Sequence, residues 1–322
     1  MRDPFGRTIE YLRLSITKAC DLRCIYCRPA SVALASDEPE LTSGEIETLV
    51  RHLVERHALK RVRLTGGEPT NRPDLLEIVQ RLARVKGLEE LAMTTNGLKL
   101  AELAKPLKEA GLTRVNVNLD TLVPEKFERM TGSNRLREVV AGIDAAVASG
   151  LTPVKLNTVV IRGENEYEIP ELTLFAIRKG LEIRFIELMP MGPLSDRWQE
   201  RFVPESEMRK QLSELVTTWR PSLQGPHPAR RYRAGLPFGR KGYVSFVTAM
   251  TCPFCAACNR IRIAADGALY PCLMDRPAGS LLPALRPVFN ADRFDEILKK
   301  GLGQKAQEHP ATGVGVMTHI GG

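Results

Sequence analysis

Seven cysteines in 322 residues fall into two groups, and both have the spacing of metal ligands. Cys20, Cys24 and Cys27 form a C-x3-C-x2-C loop, whereas Cys252, Cys255, Cys258 and Cys272 lie far downstream. Thiolates select zinc or iron–sulfur clusters. An odd cysteine total does not close into a disulfide framework, and clustered thiols in a chain without an export signal favour metal or redox work. A [4Fe–4S] cluster ordinarily takes four cysteines, so three on one tight loop leave an iron open to chelate a substrate or cosubstrate. A zinc site there would need a fourth ligand from elsewhere. The chain has five histidines and none is near the loop; His52 and His57 fall in a helical pattern. The first loop therefore predicts an open-iron cluster. The second group is balanced on spacing alone. Cys255-x2-Cys258-x13-Cys272 fits another incomplete iron–sulfur set, and Cys252 as a fourth sulfur fits a zinc ribbon.

Such loops need a scaffold, and the first 190 residues supply a repeating one. Strand-like runs at Arg13–Thr17, Arg61–Thr65, Leu91–Thr95, Arg114–Leu119, Pro153–Ile161 and Glu182–Leu188 alternate with amphipathic helical stretches. In Glu45–His57 the residues Ile46, Leu49, Val50, Leu53 and Val54 share one helical face, with Thr42 and Glu45 ahead of them as a capping box. Leu75, Leu76, Val79 and Leu82 repeat that stripe, and Gly180 ends a helix around Glu171–Lys179. This alternation predicts parallel strands with covering helices. Six units are too few for a closed eight-stranded barrel, which leaves an open partial (β/α)6 barrel or a doubly wound sheet. The cysteine loop follows the first strand, at the mouth where active sites of such folds gather. After Pro190 the pattern breaks: MPMGPLSDRW reads as a loop and Pro221–Lys241 as an irregular Pro-, Gly- and Arg-rich stretch. Residues 1–190 then form the core and 191–322 a smaller second domain with a Gly-rich tail.

Composition limits the function classes. A hydrophobic share of 43% suits a globular enzyme with a full core. No apolar N-terminal stretch and no apolar run of membrane-spanning length are present, so the expectation is a cytoplasmic protein with no membrane partner. The net charge of +8 fits an anionic partner, but on charge alone a solvated Arg-rich surface is the favoured reading. No aromatic–basic interleaving points to nucleic acid.

The segment LRLSITKACDLRCIYCRP resembles the signature loop of the radical S-adenosylmethionine (SAM) enzymes. Gly66-Gly67-Glu68-Pro69 after the second strand resembles that superfamily's SAM-binding turn, where glycines let backbone approach the cosubstrate. The resemblance implies SAM contacts from Tyr26 on the cysteine loop, from Gly66, Gly67 and Glu68 in that turn, and from Thr94, Thr95, Asn118, Lys155 and Asn157 on the third to fifth strands. It also implies reductive cleavage of SAM on the open-iron cluster of Cys20, Cys24 and Cys27 to give a 5′-deoxyadenosyl radical.

From Leu12 to the last residue the chain further resembles one family, the GTP 3′,8-cyclases of molybdenum cofactor biosynthesis. KRVRLTGGEP, LEIRFIEL, CNRIRIAADG and the terminal Gly321-Gly322 carry this likeness. It implies a second [4Fe–4S] cluster on Cys255, Cys258 and Cys272, with an open iron for the purine of GTP. It implies triphosphate contacts from Arg61, Arg63 and Arg184, which offer bidentate permanent charge. It implies active-site cations at Arg13, Arg260 and Arg262, the last two alternating on one strand face, and a catalytic role for Gly321 and Gly322. The implied product is 3′,8-cyclo-7,8-dihydro-GTP. Implied partners are a cyclic pyranopterin monophosphate synthase downstream and a flavodoxin- or ferredoxin-type electron donor, with the enzyme a monomer or homodimer. The chain departs from the pattern at Arg28 (Met is usual), Asn118 (Ser), Arg61 (Lys), His319 (Tyr) and the additional Cys252, which is expected not to be a ligand. A radical SAM enzyme that matures peptides would need a peptide-recognition domain, which the sequence lacks. A non-catalytic iron–sulfur sensor would not need the SAM pattern.

Overall fold

The computed structural model describes residues 1–29, 39–222, 228–314 and 317–321, with the backbone alone at 238, 318 and 319. Gly322 and the side chain of His319, both singled out in the sequence, lie outside the described residues.

Strands β1 (Tyr11–Ser15), β2 (Arg61–Thr65), β3 (Glu90–Thr95), β4 (Arg114–Asn118), β5 (Lys155–Val160) and β6 (Glu182–Glu187) pair in sequence order, all parallel. Between them run α1 (Ser43–His57), α2 (Leu75–Ala83), α3 (Leu100–Glu109), α4 (Pro124–Thr131), α5 (Leu136–Ala148) and α6 (Ile169–Arg178). Helix α1 starts where the capping box predicts: Glu45 N donates to Thr42 Oγ1 at 3.2 Å and Thr42 N to Glu45 Oε2 at 2.8 Å. Its apolar face, Ile46, Leu49, Val50 and Leu53, is fully buried in one core with Leu12 and Leu14 of β1 and Val62 and Leu64 of β2. Burying each such side chain contributes about 1.5–3 kcal/mol, so periodicity alone dictates which face turns inward. Gly180 takes φ +70 just past α6 and turns the chain into β6.

The remaining strands are β7 (Thr218–Pro221), β8 (Ala229–Gly235), β9 (Lys241–Val247), β10 (Arg260–Ile263), β11 (Ala268–Tyr270) and β12 (Gly279–Ser280). They extend the same sheet at both edges. β10 pairs parallel with β1 and β9 pairs parallel with β6, giving a 12-stranded open sheet, β12-β11-β10-β1-β2-β3-β4-β5-β6-β9-β8-β7. The α/β class with an open partial barrel is therefore observed, and the open edges are held by strands from beyond residue 190.

Two irregular stretches carry more structure than expected. Gly192–Arg197, inside MPMGPLSDRW, is a 3-10 helix opened by a proline and followed by a short helix Trp198–Arg201. In Pro221–Lys241, β8 pairs antiparallel with β9. Its arginines hid the strand, since Tyr232 stacks edge-on against Trp219 and Phe246 while Arg209 covers the rings.

Candidate active site

Parallel pairing without stagger carries residues of like direction into rows. Arg260, Tyr11, Arg61 and Glu90 are neighbours across β10, β1, β2 and β3. Arg262, Arg13, Arg63 and Ala92 form the next row, continued by Arg114 on β4. Alternate strand residues share a face, so all members of both rows but Ala92 line one cavity together with Lys155, Asn157 and Arg184. It has a volume of about 230 Å³ and opens to solvent at its mouth.

The cavity is crowded with positive charge. Arg114 makes a two-pronged pair with Glu90 at 3.0 and 2.8 Å. Arg63 donates to Tyr11 Oη and to Thr94 Oγ1. Glu182 accepts from Arg184 Nε at 2.7 Å and lies 3.2 Å from Lys155 Nζ. Burial pushes the Glu182 carboxyl up, but Arg184, Lys155 and Arg231 outweigh it and hold it at about 2. Burial and the Arg184 charge bring Lys155 down to about 8. Burial and the neighbouring Arg262 push Arg13 well below its ordinary range, and burial with Arg260 brings Arg262 to about 10. Cations that depress one another in this way favour a polyanion among them.

Cys20, Cys24 and Cys27 line an adjoining cavity with Gly66, Gly67, Glu68, Thr94, Thr95, Asn118 and Asp120. Their loop is wedged in place: Arg23 N and Ile25 N donate to Thr131 O and Met130 O at 2.8 and 2.9 Å. Arg28, the departure from Met, is buried and donates to Cys20 O at 3.2 Å, so it supports the loop from behind. Burial raises the Cys20 thiol to about 12 and Cys24 well above its ordinary range. Such thiols become thiolates when a cation displaces the proton.

Donor spacing differs between the two cysteine groups and a histidine-containing cluster elsewhere. A single zinc with Zn–S bonds of about 2.3 Å needs sulfurs roughly 3.8 Å apart. Among the described residues the only His, Cys, Asp or Glu group with three donors within 4.8 Å of one another is His52, His57 and Asp295. Neither cysteine triple is that tight.

The Gly-Gly-Glu turn locks against this loop. Gly67 N donates to Thr17 O at 2.8 Å and Glu68 N to Ala19 O at 2.7 Å. Glu68 spends its carboxylate on protein, accepting from Thr70 N, Thr70 Oγ1, Thr95 Oγ1 and Asn96 N. A Cβ on Gly67 would lie 2.3 Å from Ala19 O and 2.6 Å from Lys18 O, both rigid backbone. Gly67→Ala is therefore expected to displace the cysteine loop, lowering iron content by about four per chain and the thermal midpoint by several degrees. Iron analysis and thermal unfolding check it.

The later cysteines sit beside the arginine wall. Phe254, Arg260 and Leu273, each within two residues of Cys255, Cys258 or Cys272, line the large cavity. Burial raises Cys255. Burial also works against the Cys258 thiolate, but Arg260 and the buried Lys305 overcome it and the thiol lies below its ordinary value. Glu187 accepts from Met250 N and Thr251 N at 2.9 Å each, fixing the segment ahead of them. Arg7 donates to Cys255 O, Ala306 O and Gln307 O. Cys252 is exposed. At the chain end, Gly321 O accepts from Arg13 Nε and Nη2 at 3.3 and 3.2 Å and from Arg262 Nη1 at 2.7 Å.

The fold thus gathers most of the described residues singled out in the sequence into two adjoining cavities, whereas Cys255, Cys258, Cys272 and Gly321 line neither. Gly66, Gly67, Glu68, Thr94 and Thr95 stand with the first cysteines, and Arg13, Arg61, Arg63, Arg184, Arg260 and Arg262 line the large cavity. Tyr26 and Asn118 border both, while Lys155 and Asn157 face the arginines. Sequence reasoning missed Tyr11, Arg114, Glu90 and Lys305. The first two were within reach, because Tyr11 is two residues before Arg13 and Arg114 two before Asn116 on the same strand faces. Glu90 and Lys305 gave no local signal, since their partners Arg114 and Cys258 are distant in sequence.

Residues 14–176 match the radical SAM superfamily, and residues 181–311 match the family described as Molybdenum Cofactor Synthesis C. The GTP 3′,8-cyclase of Pelotomaculum thermopropionicum is 40% identical over 312 residues, 96% of this chain and 95% of the relative. That of Moorella thermoacetica is 45% identical over 275 residues, 85% and 84% of the two chains. Among solved structures, Streptococcus suis SuiB bound to its precursor peptide SuiA is similar with a TM-score of 0.58 over 95% of this chain and 72% of that one. At 16% identity this shows a shared fold alone. By these sequence matches the chain belongs to the radical SAM superfamily and, within it, to the GTP 3′,8-cyclase family.

Proposed function

We propose that this enzyme converts GTP to 3′,8-cyclo-7,8-dihydro-GTP in the first step of molybdenum cofactor biosynthesis. The observation that carries the reading is the adjoining pair of cavities: three cysteines in one, and in the other a wall of arginines beside a second cysteine group. As a radical SAM enzyme it uses SAM and a [4Fe–4S] cluster, which when bound supply a 5′-deoxyadenosyl radical for hydrogen abstraction. Cys20, Cys24 and Cys27 are the assigned ligands, and the Gly66–Glu68 turn, Thr94, Thr95, Tyr26 and Asn118 border the SAM position. Cys255, Cys258 and Cys272 are assigned to a second [4Fe–4S] cluster that takes the purine, with Cys252 outside the ligand set. Arg61, Arg63 and Arg184 hold the triphosphate, and Lys155, which the resemblance gave as a SAM contact, joins them in this reading because it lines the arginine cavity and not the cysteine one. Asn157, set beside Lys155 on the same strand face, orients the nucleotide. Arg13, Arg260, Arg262 and the Gly321-Gly322 end close over the reacting ribose and exclude water.

We assign residues 1–190 to the SAM half of the enzyme and 191–322 to the auxiliary-cluster half. No described helix is long and apolar enough to cross a membrane, and reduced thiol clusters suit a cytoplasmic protein. A reductant of the flavodoxin or ferredoxin type would deliver the electron, and a cyclic pyranopterin monophosphate synthase would take the product. Anaerobic incubation with GTP, SAM and a reductant tests the reading. The expected products are 5′-deoxyadenosine and the cyclised nucleotide in step; neither appearing from enzyme with loaded clusters refutes it.

Lys155 gives the reading a pH signature. With its pKa near 8 in the free cavity, Lys155 is cationic below that pH and loses its charge above it. GTP affinity is therefore expected to weaken by about 3- to 10-fold between pH 7 and 9, roughly one charge–phosphate contact. Lys155→Met should bind GTP more weakly at pH 7 and lack this slope. Equilibrium binding across that range measures both.

A further inference from the structure

Away from both cavities, α1 and the Ala291–Gly303 helix meet at a second set of ligand-type side chains. His52 Nε2 and His57 Nε2 each lie 2.6 Å from Asp295 Oδ1. The three donor atoms fall within 4.8 Å of one another. We propose that His52, His57 and Asp295 form a binding site for a zinc-class divalent cation, which clamps the Ala291–Gly303 helix to α1.

The donor set supplies the first argument. Two imidazole nitrogens and one carboxylate oxygen suit zinc, whereas calcium and magnesium favour oxygen alone. Bonds of about 2.0–2.2 Å in tetrahedral geometry put donors roughly 3.3 Å apart, so each 2.6 Å contact needs to open by about 0.7 Å. The second argument is orientation. Phe289 and Phe294 meet the His52 ring edge-on, with centroids 5.1 and 4.9 Å away, and the side chain is only 7% exposed. Arg56 Nη2 stands 3.7 Å from Asp295 Oδ2, engaging the other oxygen and turning Oδ1 to the imidazoles. The third is access. His57 and Asp295 are partly exposed and border a surface cavity with Asp3, which leaves room for water as a fourth ligand. A structural role follows, because α1 belongs to the core and the Ala291–Gly303 helix to the region that carries the later cysteines.

The test uses anaerobic protein with its clusters loaded, freed of loose divalent ions by a mild chelator and then titrated with zinc. One zinc per chain is expected, with unchanged iron and a nitrogen/oxygen shell by X-ray absorption at the zinc edge. His57→Gln and Asp295→Asn should each weaken zinc at least ~10-fold at unchanged iron content, and zinc should raise the Tm of the parent but not of the variants. Failure to bind zinc, a zinc shell containing sulfur, or full zinc binding in both variants would overturn the proposal. Should Asp295→Asn fail to fold, His57→Gln at the solvent-facing edge and the zinc-edge spectrum of the parent still decide it.

Discussion

Cys24→Ser is expected to abolish reductive cleavage of SAM and lower iron from about eight to about four per chain. Cys24 sits between its two partners on a loop tied to Met130 O and Thr131 O and supported by Arg28. The remaining two cysteines cannot hold a cubane on one side, and a serine hydroxyl is a hard donor that does not replace a soft thiolate. The loop's backbone anchors do not involve the sulfur, so the fold should survive. GTP should still bind, because the arginine wall and the later cysteines are untouched. Iron analysis, SAM turnover and GTP binding on one preparation separate the effects. Full iron content or persistent SAM cleavage would remove Cys24 from the ligand set.

Gly321→Ala is expected to reduce cyclised product on the order of 100-fold while leaving iron content unchanged and GTP affinity within a few-fold. Gly321 adopts φ +77, and a Cβ there would lie 2.4 Å from Thr65 Oγ1 at the buried end of β2. The left-handed backbone costs a side chain about 1–2 kcal/mol. That cost will not unfold the protein, but it draws the Gly321 carbonyl away from Arg13 and Arg262. Misplacement of a closing element by about 1 Å costs on the order of 100-fold in rate. SAM cleavage should continue, uncoupled from cyclisation. Adding Thr65→Ala to Gly321→Ala removes the clash but not the strained φ, so part of the activity should return. Equal activity in parent and single variant would show that the tail does not need this geometry.

Much of this site was legible in the sequence because local chemistry encodes it. The cysteine spacing, the Gly-Gly-Glu turn and the capping box at Thr42 each act within a few residues, and each stands where expected. The arginines were legible in pairs, since Arg61 with Arg63 and Arg260 with Arg262 obey the two-residue period of a strand. What joins them is not local. The parallel pairing of β10 with β1 sets Arg260 beside Tyr11 and Arg262 beside Arg13 across about 250 residues of chain. No periodicity reports that partner, so the late strands read as a separate region although they edge the core sheet. Lys155 shows the same limit. Its place on β5 was evident, but its turn toward Glu182 and Arg184 follows from register with β6.

Transfer of hydrogen from the substrate ribose bears most directly on the proposed cyclase. Cluster-loaded enzyme incubated anaerobically with SAM, reductant and GTP deuterated at C3′ should place deuterium in 5′-deoxyadenosine in step with cyclised nucleotide. Unlabelled 5′-deoxyadenosine beside intact GTP would contradict a 3′,8-cyclase built on these residues.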